Sequence, residues 1–440
     1  MNEPTTEQTT RGPRAITDEA VWTPWLDGLR TFPDDGYRHA VVLAAHPDDE
    51  TLGASGVLQH LHDRGVTVEL VVATDGEAAF PRLSAAERVE LGRVRRHELH
   101  ESLRAQGLPD VAVWWLGLPD SGLAAHRDEL ADMLTGPLAD ADMCLVPWPG
   151  DPHPDHQTVG EVGLRVTPLT THRWSYPIWM WHWLRPRDLG VPKSRAFGHP
   201  LTTGQQDRKA AGVAAFTSQL EPGPDGSAPI LSPAMLRHFA RDREVLFREP
   251  PRRSAPVERF AELYDGNADP WGVTESWYER RKRAVALACL PTEEYGTVVE
   301  PACGLGALTQ DLAARARHVI AFDPVAEAVK QTSENTAHLP NVEVRQAALP
   351  TGLPDGPLDL AVFSEILYYL DDDDLAETIT RTVAALRPGG HVLAVHWLPW
   401  AAEAPRDGMD AHRHLLAHPE LDALVEHTDE QFVVNVLRRR

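Results

Sequence analysis

Short apolar runs alternate with longer amphipathic stretches along the first half of the chain. Residues 40–45 (AVVLAA) form such a run between polar residues, as is typical of a buried parallel strand. The pattern predicts a helix over 53–64, a second strand over 66–73 and a long helix over 84–106. Two further strand candidates complete it: residues 111–115 and 143–146. This alternation predicts an α/β domain with a mostly parallel sheet and flanking helices.

The same alternation restarts after a proline-rich stretch. Residues 249–256 (EPPRRSAP) show no apolar periodicity and predict a linker. Helical stretches then separate four strand candidates: residues 297–300, 318–322, 358–363 and 391–397. Because strands that alternate with helices are typical of a parallel sheet with crossover helices, the second half is predicted to be another α/β domain.

Length supports two domains, since 440 residues exceed the roughly 100–200 residues of an ordinary domain. Residues 1–20 are poor in apolar side chains and are predicted to be disordered. We place the first domain over 21–248, the linker over 249–257 and the second domain over 258–440.

The charge balance argues against partners that are held mainly through phosphate. The chain has 65 Asp+Glu against 42 Lys+Arg, a formal net charge of −23, whereas nucleic-acid binding needs a basic face. Three cysteines are too few for a disulfide framework and favour a reducing compartment. There is no apolar signal region and no run of about 18 apolar residues. We expect a cytoplasmic protein that binds neither nucleic acid nor membrane, and its oligomeric state stays open.

Two clusters of His and Asp each follow a predicted buried strand in the first domain. They are residues 46–50 (HPDDE) and residues 151–156 (DPHPDH). Both clusters therefore fall at strand ends, where α/β sheets place their ligands. Partly buried charges are costly to leave unpaired, and a divalent cation relieves that cost. Imidazole and carboxylate ligands favour zinc, although two histidines and one carboxylate also describe an iron(II) site.

With these clusters, residues 37–250 resemble the PIG-L/LmbE-like deacetylases, which are metal-dependent hydrolases of N-acetylglucosaminyl groups and related amides. Three further stretches carry the resemblance: residues 74–77 (TDGE), residues 116–120 (LGLPD) and the helix with Arg95 and Glu98. The resemblance implies a Rossmann-like hydrolase fold and a small amino-sugar amide as substrate.

Carried over by position, the resemblance also implies roles for single residues. His46, Asp49 and His156 would be the metal ligands. Asp48 would be the general base, and His153 would stabilise the developing oxyanion. These roles agree with the ability of zinc to lower the pKa of water toward about 7 and to polarise an amide carbonyl.

The aromatic stretch at residues 173–183 (RWSYPIWMWHW) has two compatible interpretations. Half-buried strand packing accounts for it simply. Alternatively, its rings form a wall beside the metal on which a sugar ring could stack.

A glycine turn marks the second domain. Residues 298–306 (VVEPACGLG) predict a strand that passes into a glycine turn and then into a helix. Glycine allows the backbone to approach a ligand closely at a helix N-terminus. Asp323 ends the next predicted strand, where an acid can accept the ribose hydroxyls of an adenosine. Two more features strengthen the prediction of a cofactor pocket. Ser364-Glu365 lies at the end of a third predicted strand, and residues 386–390 (LRPGG) precede a fourth.

Residues 258–440 resemble class I S-adenosylmethionine-dependent methyltransferases, most closely the NodS-like family, which N-methylates the free amine of chitooligosaccharides. Residues 269–272 (DPWG) and 276–282 (SWYERRK) contribute to the resemblance. It implies a cofactor site formed by five residues: Glu300, Ala302, Gly304, Gly306 and Asp323, the last on the ribose.

The resemblance further implies that Glu365 and Tyr368 face the methyl-transfer site, and His396 is a candidate beside them. Glu365 or His396 could accept or relay the proton of the acceptor amine. His412, with His414 and His418, is interpreted as part of a polar helix face.

Two departures from the methyltransferase pattern leave catalysis by the second domain open. Ala302 and Cys303 replace a more usual glycine-containing turn, and Ala348 stands where many relatives have an acid that contacts the adenine. The favoured hypothesis is a bifunctional enzyme that hydrolyses an N-acyl amino-sugar amide and methylates a substrate, which is the freed amine. In the alternative, only the deacetylase is catalytic and the second domain is a cofactor-binding sensor, or the second domain acts on an unrelated acceptor.

Overall fold

The computed structural model describes residues 16–33, 36–186, 188 and 191–440. It divides into two compact units at the bond between Glu249 and Pro250. Most of the segment predicted to be disordered, residues 1–15, lies outside the described residues. Its last two residues, however, already belong to the first helix, because the Asp18 carboxylate accepts the N–H of Ala20 and caps that helix.

The N-terminal unit is built on a single sheet of eight strands in the described residues. The strands are β1 (Arg30–Thr31), β2 (His39–Ala44), β3 (Thr67–Thr74), β4 (Ala112–Leu118), β5 (Met143–Pro147), β6 (His172–Tyr176), β7 (Ala196–Pro200) and β8 (Arg243–Arg248). The helices are α1 (Glu19–Leu26), α2 (Asp49–Asp63), α3 (Ala85–Ala105), α4 (Arg127–Leu138), α5 (Pro154–Val166), α6 (Met180–Trp183), α7 (Thr203–Ala214), α8 (Thr217–Leu220) and α9 (Pro233–Leu236). Short 3-10 helices are Leu123–Ala125, Lys193–Arg195 and Arg237–Phe239.

The strand order is β1-β7-β8-β6-β5-β2-β3-β4, with β8 antiparallel to both of its neighbours. Core residues cover both faces of this sheet, because Val42 and Ala44 of β2 point into one apolar cluster and Val41 and Leu43 into another. From β2 the chain adds β3 on one side, whereas β5 pairs on the other side. The carboxyl ends of β2 and β5 therefore flank the point where the strand order reverses, which is where open α/β sheets bind ligands.

The C-terminal unit repeats this architecture with seven strands in the described residues. The strands are β9 (Tyr295–Pro301), β10 (Ala316–Asp323), β11 (Val342–Gln346), β12 (Leu358–Ser364), β13 (Leu386–Trp397), β14 (Leu421–Thr428) and β15 (Phe432–Arg439). The helices are α10 (Val257–Tyr264), α11 (Trp277–Ala288), α12 (Ala307–Ala313), α13 (Ala326–Thr336), α14 (Asp372–Ala385) and α15 (Gly408–Leu416), with a 3-10 helix at Leu367–Tyr369. The order β11-β10-β9-β12-β13-β15-β14 places the reversal between β9 and β12.

The two-domain α/β prediction is confirmed, with mostly parallel sheets in both units. Helix α2 begins at Asp49 rather than at the predicted residue 53. The reason is that the turn from β2 is completed at Asp48, whose φ of 133° is incompatible with a helix. Among the described residues, no helix is both long enough and apolar enough to cross a lipid bilayer.

A buried ion pair between Lys209 of α7 and Glu244 of β8 contacts the backbone of helix α2. Lys209 donates to the carbonyl oxygen of Leu52 and to the Glu244 carboxylate, both at 2.7 Å, and Glu244 accepts the N–H of Gly56 at 2.9 Å. Gly56 is needed here because a Cβ atom would lie 2.0 Å from a Leu201 methyl carbon.

We therefore predict that Lys209→Met destabilises the protein by about 3–5 kcal/mol, because Glu244 would stay buried without its counter-charge. Lys193→Met, at an exposed lysine, is the matched control and should change stability by less than about 0.5 kcal/mol. Urea denaturation of the full chain measures both. Equal effects of the two substitutions would contradict the prediction.

Candidate functional sites

The first candidate site lies at the carboxyl ends of β2 and β5, where the two predicted His/Asp clusters meet. The clusters contact each other across the sheet: Nε2 of His156 lies 3.2 Å from Oδ1 of Asp49, and the rings of His46 and His156 are 5.4 Å apart. Nδ1 of His46 lies 3.6 Å from Oδ2 of Asp49. The three predicted metal ligands thus share one buried site, although His156 follows His46 and Asp49 by more than 100 residues in sequence.

The backbone and Asp151 orient two of these side chains. Oδ2 of Asp49 accepts the N–H groups of Ala45 and His46 at 3.0 and 2.9 Å, which leaves Oδ1 facing His156. Asp151 lies 3.1 Å from Nδ1 of His156, and its other oxygen accepts two backbone N–H groups of the aromatic segment, from Ile178 and Met180. Because Asp151 bonds Nδ1, the Nε2 atom of His156 is directed toward Asp49.

The donor set fits a divalent metal. Nε2 of His156 is buried and makes no hydrogen bond. It lies 3.2 Å from Oδ1 of Asp49, which is close to the distance of about 3.3–3.5 Å between two ligand atoms of a tetrahedral zinc ion. Despite the opposing effect of burial, neighbouring carboxylates raise the pKa of His156 to about 9. The negative charges that raise this pKa also favour a metal cation at the same position.

Among the described residues, two sets of three side chains have donor atoms close enough together to hold a metal ion, and Asp49 belongs to neither set. The donor atoms of His46, His153 and His156 lie within 4.8 Å of one another, and so do those of His46, Asp120 and Asp155. Nδ1 of His153 accepts the N–H of Asp155, so its ring proton belongs on Nε2. Burial, followed by the nearby histidines, lowers the pKa of His153 to about 3, and its ring is therefore neutral. In this tautomer Nε2 of His153 can donate a hydrogen bond to a substrate, and neither ring nitrogen has a lone pair free for a metal ion.

Asp48, the predicted general base, is held by a buried arginine. Arg95 donates to the Asp48 carboxylate at 3.0 Å and to the carbonyl oxygens of Pro47 and Gly76 at 2.7 and 2.9 Å. A Cβ atom on Gly76 would lie 1.9 Å from the Arg95 guanidinium, so glycine is required at that position. Burial raises the pKa of Asp48 to about 6, against the lowering effect of Arg95.

The packing interpretation of the aromatic segment is confirmed for part of its rings, and the wall beside the metal stays a prediction. Trp174, Tyr176 and Trp181 are at most 3% exposed and pack in the core of the unit. Trp179 and Trp183 stack on each other at a centroid distance of 4.4 Å and remain partly exposed. Trp179 lies between the two backbone N–H groups that Asp151 binds, so this stacked pair is fixed relative to His156.

The second candidate site lies at the carboxyl end of β9, in the C-terminal unit. Three residues of its turn have left-handed backbones: Ala302, Gly304 and Gly306, with φ of 54°, 55° and 77°. Gly306 caps helix α12, whose N-terminal N–H groups can bind a ligand. Ala302 adopts this left-handed conformation although it has a side chain, so its backbone is strained. This is the position at which the sequence departs from the usual glycine-containing turn.

Two carboxylates approach this turn from neighbouring strands. Asp323, at the end of β10, accepts the N–H groups of Gly304 and Val325 at 3.1 and 2.9 Å and keeps lone pairs for a ligand. Burial raises the pKa of Asp323 to about 6. Glu300 is 2% exposed and one of its oxygens has no partner. Burial raises the pKa of Glu300 to about 8.

Glu365, at the carboxyl end of β12, has three donors that the sequence did not indicate. Its carboxylate accepts from Lys282 and from the Tyr368 hydroxyl, both at 2.6 Å, and from the N–H of Trp397 at 2.9 Å. Lys282 is 2% exposed and also donates to Glu279 at 2.9 Å. Glu365 and Tyr368 are thus hydrogen-bonded to each other, and that both face the methyl-transfer site stays a prediction.

His396 does not face the methyl-transfer site, which corrects the prediction. It is fully buried, and its Nε2 accepts the N–H of Leu367 at 3.0 Å. It cannot accept the proton of an acceptor amine because both of its ring nitrogens are engaged within the fold.

Comparison with known families supports the resemblance that the sequence motifs indicated for each half of the chain. Residues 41–167 match the PIG-L family model, described as GlcNAc-PI de-N-acetylase, and residues 298–390 match a model described as a methyltransferase domain. The N-terminal half therefore contains a PIG-L domain and the C-terminal half a methyltransferase domain, which confirms the fusion that the motifs predicted.

Individual relatives resemble one half each. Probable N-acetyl-alpha-D-glucosaminyl L-malate deacetylase 2 of Bacillus subtilis (strain 168) is 32% identical over 135 residues, which are 29% of this chain and 60% of that protein. Phosphoethanolamine N-methyltransferase 1 of Triticum aestivum is 31% identical over 118 residues, which are 26% of this chain and 24% of that protein. The solved N-methyltransferase NodS from Bradyrhizobium japonicum WM9, in complex with S-adenosyl-l-homocysteine, is 21% identical, with a TM-score of 0.38. That match covers 42% of this chain and 98% of the NodS chain.

We predict that Asp151→Asn weakens zinc binding about 10–100-fold. The two oxygens of Asp151 serve His156 on one side and two backbone N–H groups on the other, and an amide cannot accept on both sides. Chelator competition with zinc on metal-free protein measures the affinity, and Asp110→Asn, at an exposed acid, is the control. Unchanged affinity in Asp151→Asn would show that His156 does not depend on this bond.

We predict that burial of Glu300 makes the ligand-free protein less stable as the pH rises. Because the pKa is about 8 in the folded protein and 4.5 as the ordinary value, the folded state loses stability between those two pH values. Glu300→Gln should remove this loss, so its stability relative to wild type should increase by more than about 1 kcal/mol between pH 5 and about 8.5. Denaturation at several pH values measures it, with exposed Glu293→Gln as control; parallel profiles would refute the prediction.

Proposed function

We propose that this chain is a bifunctional enzyme. Its N-terminal unit hydrolyses the amide of an N-acetyl or N-acyl amino sugar with a divalent metal, and its C-terminal unit transfers a methyl group from S-adenosylmethionine to the freed amine. The observation that carries the proposal is that one chain holds both clusters, each at the strand-order reversal of its own sheet and each within a matching domain. We further propose that the protein acts in the cytoplasm on small molecules.

In the proposed hydrolase, His46, Asp49 and His156 would hold zinc, or iron(II) as the alternative. The metal, when bound, would supply a Lewis acid that polarises the amide carbonyl and acidifies water. Asp48 would accept the proton of the attacking water and return it to the leaving amine. His153 would donate a hydrogen bond from its Nε2–H group to the amide oxygen as negative charge develops there. Arg95 fixes the Asp48 carboxylate for this purpose.

Two observations favour an amino sugar as the substrate. The Bacillus subtilis relative is named as an N-acetyl-glucosaminyl deacetylase. In addition, the stacked and partly exposed pair Trp179 and Trp183 offers an aromatic face on a segment that Asp151 ties to His156. Sugar rings present apolar faces that pack well on such a surface.

In the proposed methyltransferase, Glu300 and the turn with Ala302, Gly304 and Gly306 would hold the methionine part of S-adenosylmethionine. Asp323 would accept the ribose hydroxyls. Glu365 would face the acceptor and orient its nitrogen by accepting an N–H, since methyl transfer requires a neutral amine aligned with the sulfonium.

A second candidate function rests on the strained turn. Ala302 has a left-handed backbone, and Ala348 stands where an acid is expected, so the C-terminal unit would bind its cofactor less tightly than a typical methyltransferase. In this alternative the unit is a sensor of S-adenosylmethionine, and only the hydrolase is catalytic.

We predict that the full chain, loaded with zinc and given S-adenosylmethionine, first deacetylates and then methylates members of a panel of N-acetylglucosaminyl conjugates. Mass spectrometry reports loss of the acetyl group and gain of a methyl group as separate changes. Asp48→Asn should reduce deacetylation at least about 100-fold while the zinc content stays unchanged. Asp323→Ala should abolish methylation and leave deacetylation as the internal control.

The outcomes separate the candidates. If the amine accumulates without methylation although calorimetry shows that S-adenosylmethionine binds, the bifunctional proposal fails and the sensor remains. If no conjugate loses its acetyl group, the proposed hydrolase substrate is wrong.

A further inference from the structure

Three buried polar side chains form a hydrogen-bonded chain in the C-terminal unit. They come from three elements: His396 from β13, His412 from α15 and Asn435 from β15. They are 0%, 1% and 3% exposed. Nδ1 of His396 lies 2.8 Å from Nε2 of His412, and Nδ1 of His412 lies 2.5 Å from Oδ1 of Asn435. His412 is therefore not on a polar helix face as predicted, but in the core.

The positions of the protons follow from one end of the chain. The N–H of Leu367 donates to Nε2 of His396, so this nitrogen carries no proton. A neutral His396 must then carry its proton on Nδ1 and donate to His412. By the same rule, His412 carries its proton on Nδ1 and donates to the oxygen of Asn435. Burial lowers the pKa of both histidines, which keeps both rings neutral.

At its His396 end, the hydrogen-bonded chain contacts the segment that carries the predicted acceptor-site residues. Leu367 lies between Glu365 and Tyr368, whose side chains are hydrogen-bonded to each other at 2.6 Å. Glu365 has a left-handed backbone, with φ of 57°, and a non-glycine residue keeps this conformation only where its surroundings enforce it. The next residue after His396, Trp397, donates its N–H to Glu365. Thus β13 holds this turn through the side chain of His396 and through two backbone groups, the N–H of Trp397 and the carbonyl oxygen of Val395, which accepts the N–H of Glu365.

We propose that His396, His412 and Asn435 are positioning residues for methyl transfer, because they anchor the N–H of Leu367 and so hold Glu365 and Tyr368 at the acceptor side of the cofactor turn. This inference rests on the proposed methyltransferase function. Apolar side chains would fill this part of the core without needing hydrogen-bond partners, whereas each of these three buried polar side chains needs one. Packing alone therefore does not explain why they are polar. The chain instead delivers one acceptor atom to one backbone N–H at a strained turn.

The test uses paired substitutions of His396 in the full chain. Glutamine places its amide oxygen near the position of Nε2 and can still accept the N–H of Leu367. Asparagine is too short to reach it and leaves that N–H buried and unpaired. We expect His396→Gln to keep most of the wild-type kcat, whereas His396→Asn loses about tenfold to a hundredfold. The KM for S-adenosylmethionine should stay the same in both, because its predicted contacts lie at β9 and β10.

A second measurement covers the case in which either variant folds poorly. In wild-type protein labelled with nitrogen-15 at histidine, NMR should show protonated Nδ1 and unprotonated Nε2 for both His396 and His412. Asn435→Leu removes the acceptor for His412 and should lose the Nδ1–H signal of that histidine. Asn435→Leu should also lower kcat.

The results discriminate between this inference and the function on which it rests. Wild type that binds S-adenosylmethionine but methylates no acceptor overturns both. Wild type that methylates, with equal kcat for His396→Gln and His396→Asn, overturns only the positioning role. A proton on Nε2 of His396 overturns the hydrogen-bonded chain itself.

Discussion

Burial of both sheets on two faces restricts where this protein can place polar chemistry. Every residue of β2 after His39 is buried, and its side chains enter two different cores in alternation. A strand of this kind has to be apolar along its length. Charged and hydrogen-bonding groups therefore collect where strands pass into loops, and at the reversal of strand order two such loops face each other. Both candidate sites follow from this constraint, at β2 with β5 and at β9 with β12.

The two sites differ in how their buried charges are balanced. In the N-terminal unit, Asp48 has an arginine, whereas Asp49 has only histidines opposite it. A carboxylate that faces only histidines, as Asp49 does, is stabilised by an exchangeable cation such as a metal ion or a proton. In the C-terminal unit, Lys282 is a permanent counter-charge for Glu365. The carboxylate of Asp49 in the first site thus has no permanent positive charge beside it, whereas Glu365 in the second site does.

Most of what lies along a single segment could be predicted from the sequence, and most of what joins distant segments could not. The buried strands and the clusters behind them were predictable because the spacing of apolar residues, and the place of each cluster after a strand, can be seen in consecutive residues. The role of Asp151 was not, since it depends on backbone N–H groups 27 and 29 residues away. Lys282 and Asn435 carry no local signal either, because their burial is set by the packing of α11 and by the antiparallel register of β15 on β13.

The proposed reactions impose an order if both act on one nitrogen. The lone pair of an amide nitrogen is delocalised into the carbonyl, so it is a poor nucleophile until hydrolysis frees it. The freed amine must also be neutral to attack a methyl group, although ammonium is its common form at neutral pH. A pocket with two unpaired carboxylates would stabilise the ammonium form. Because Lys282 pairs with both Glu279 and Glu365, the cluster carries one net negative charge instead of two, and the neutral amine is disfavoured less.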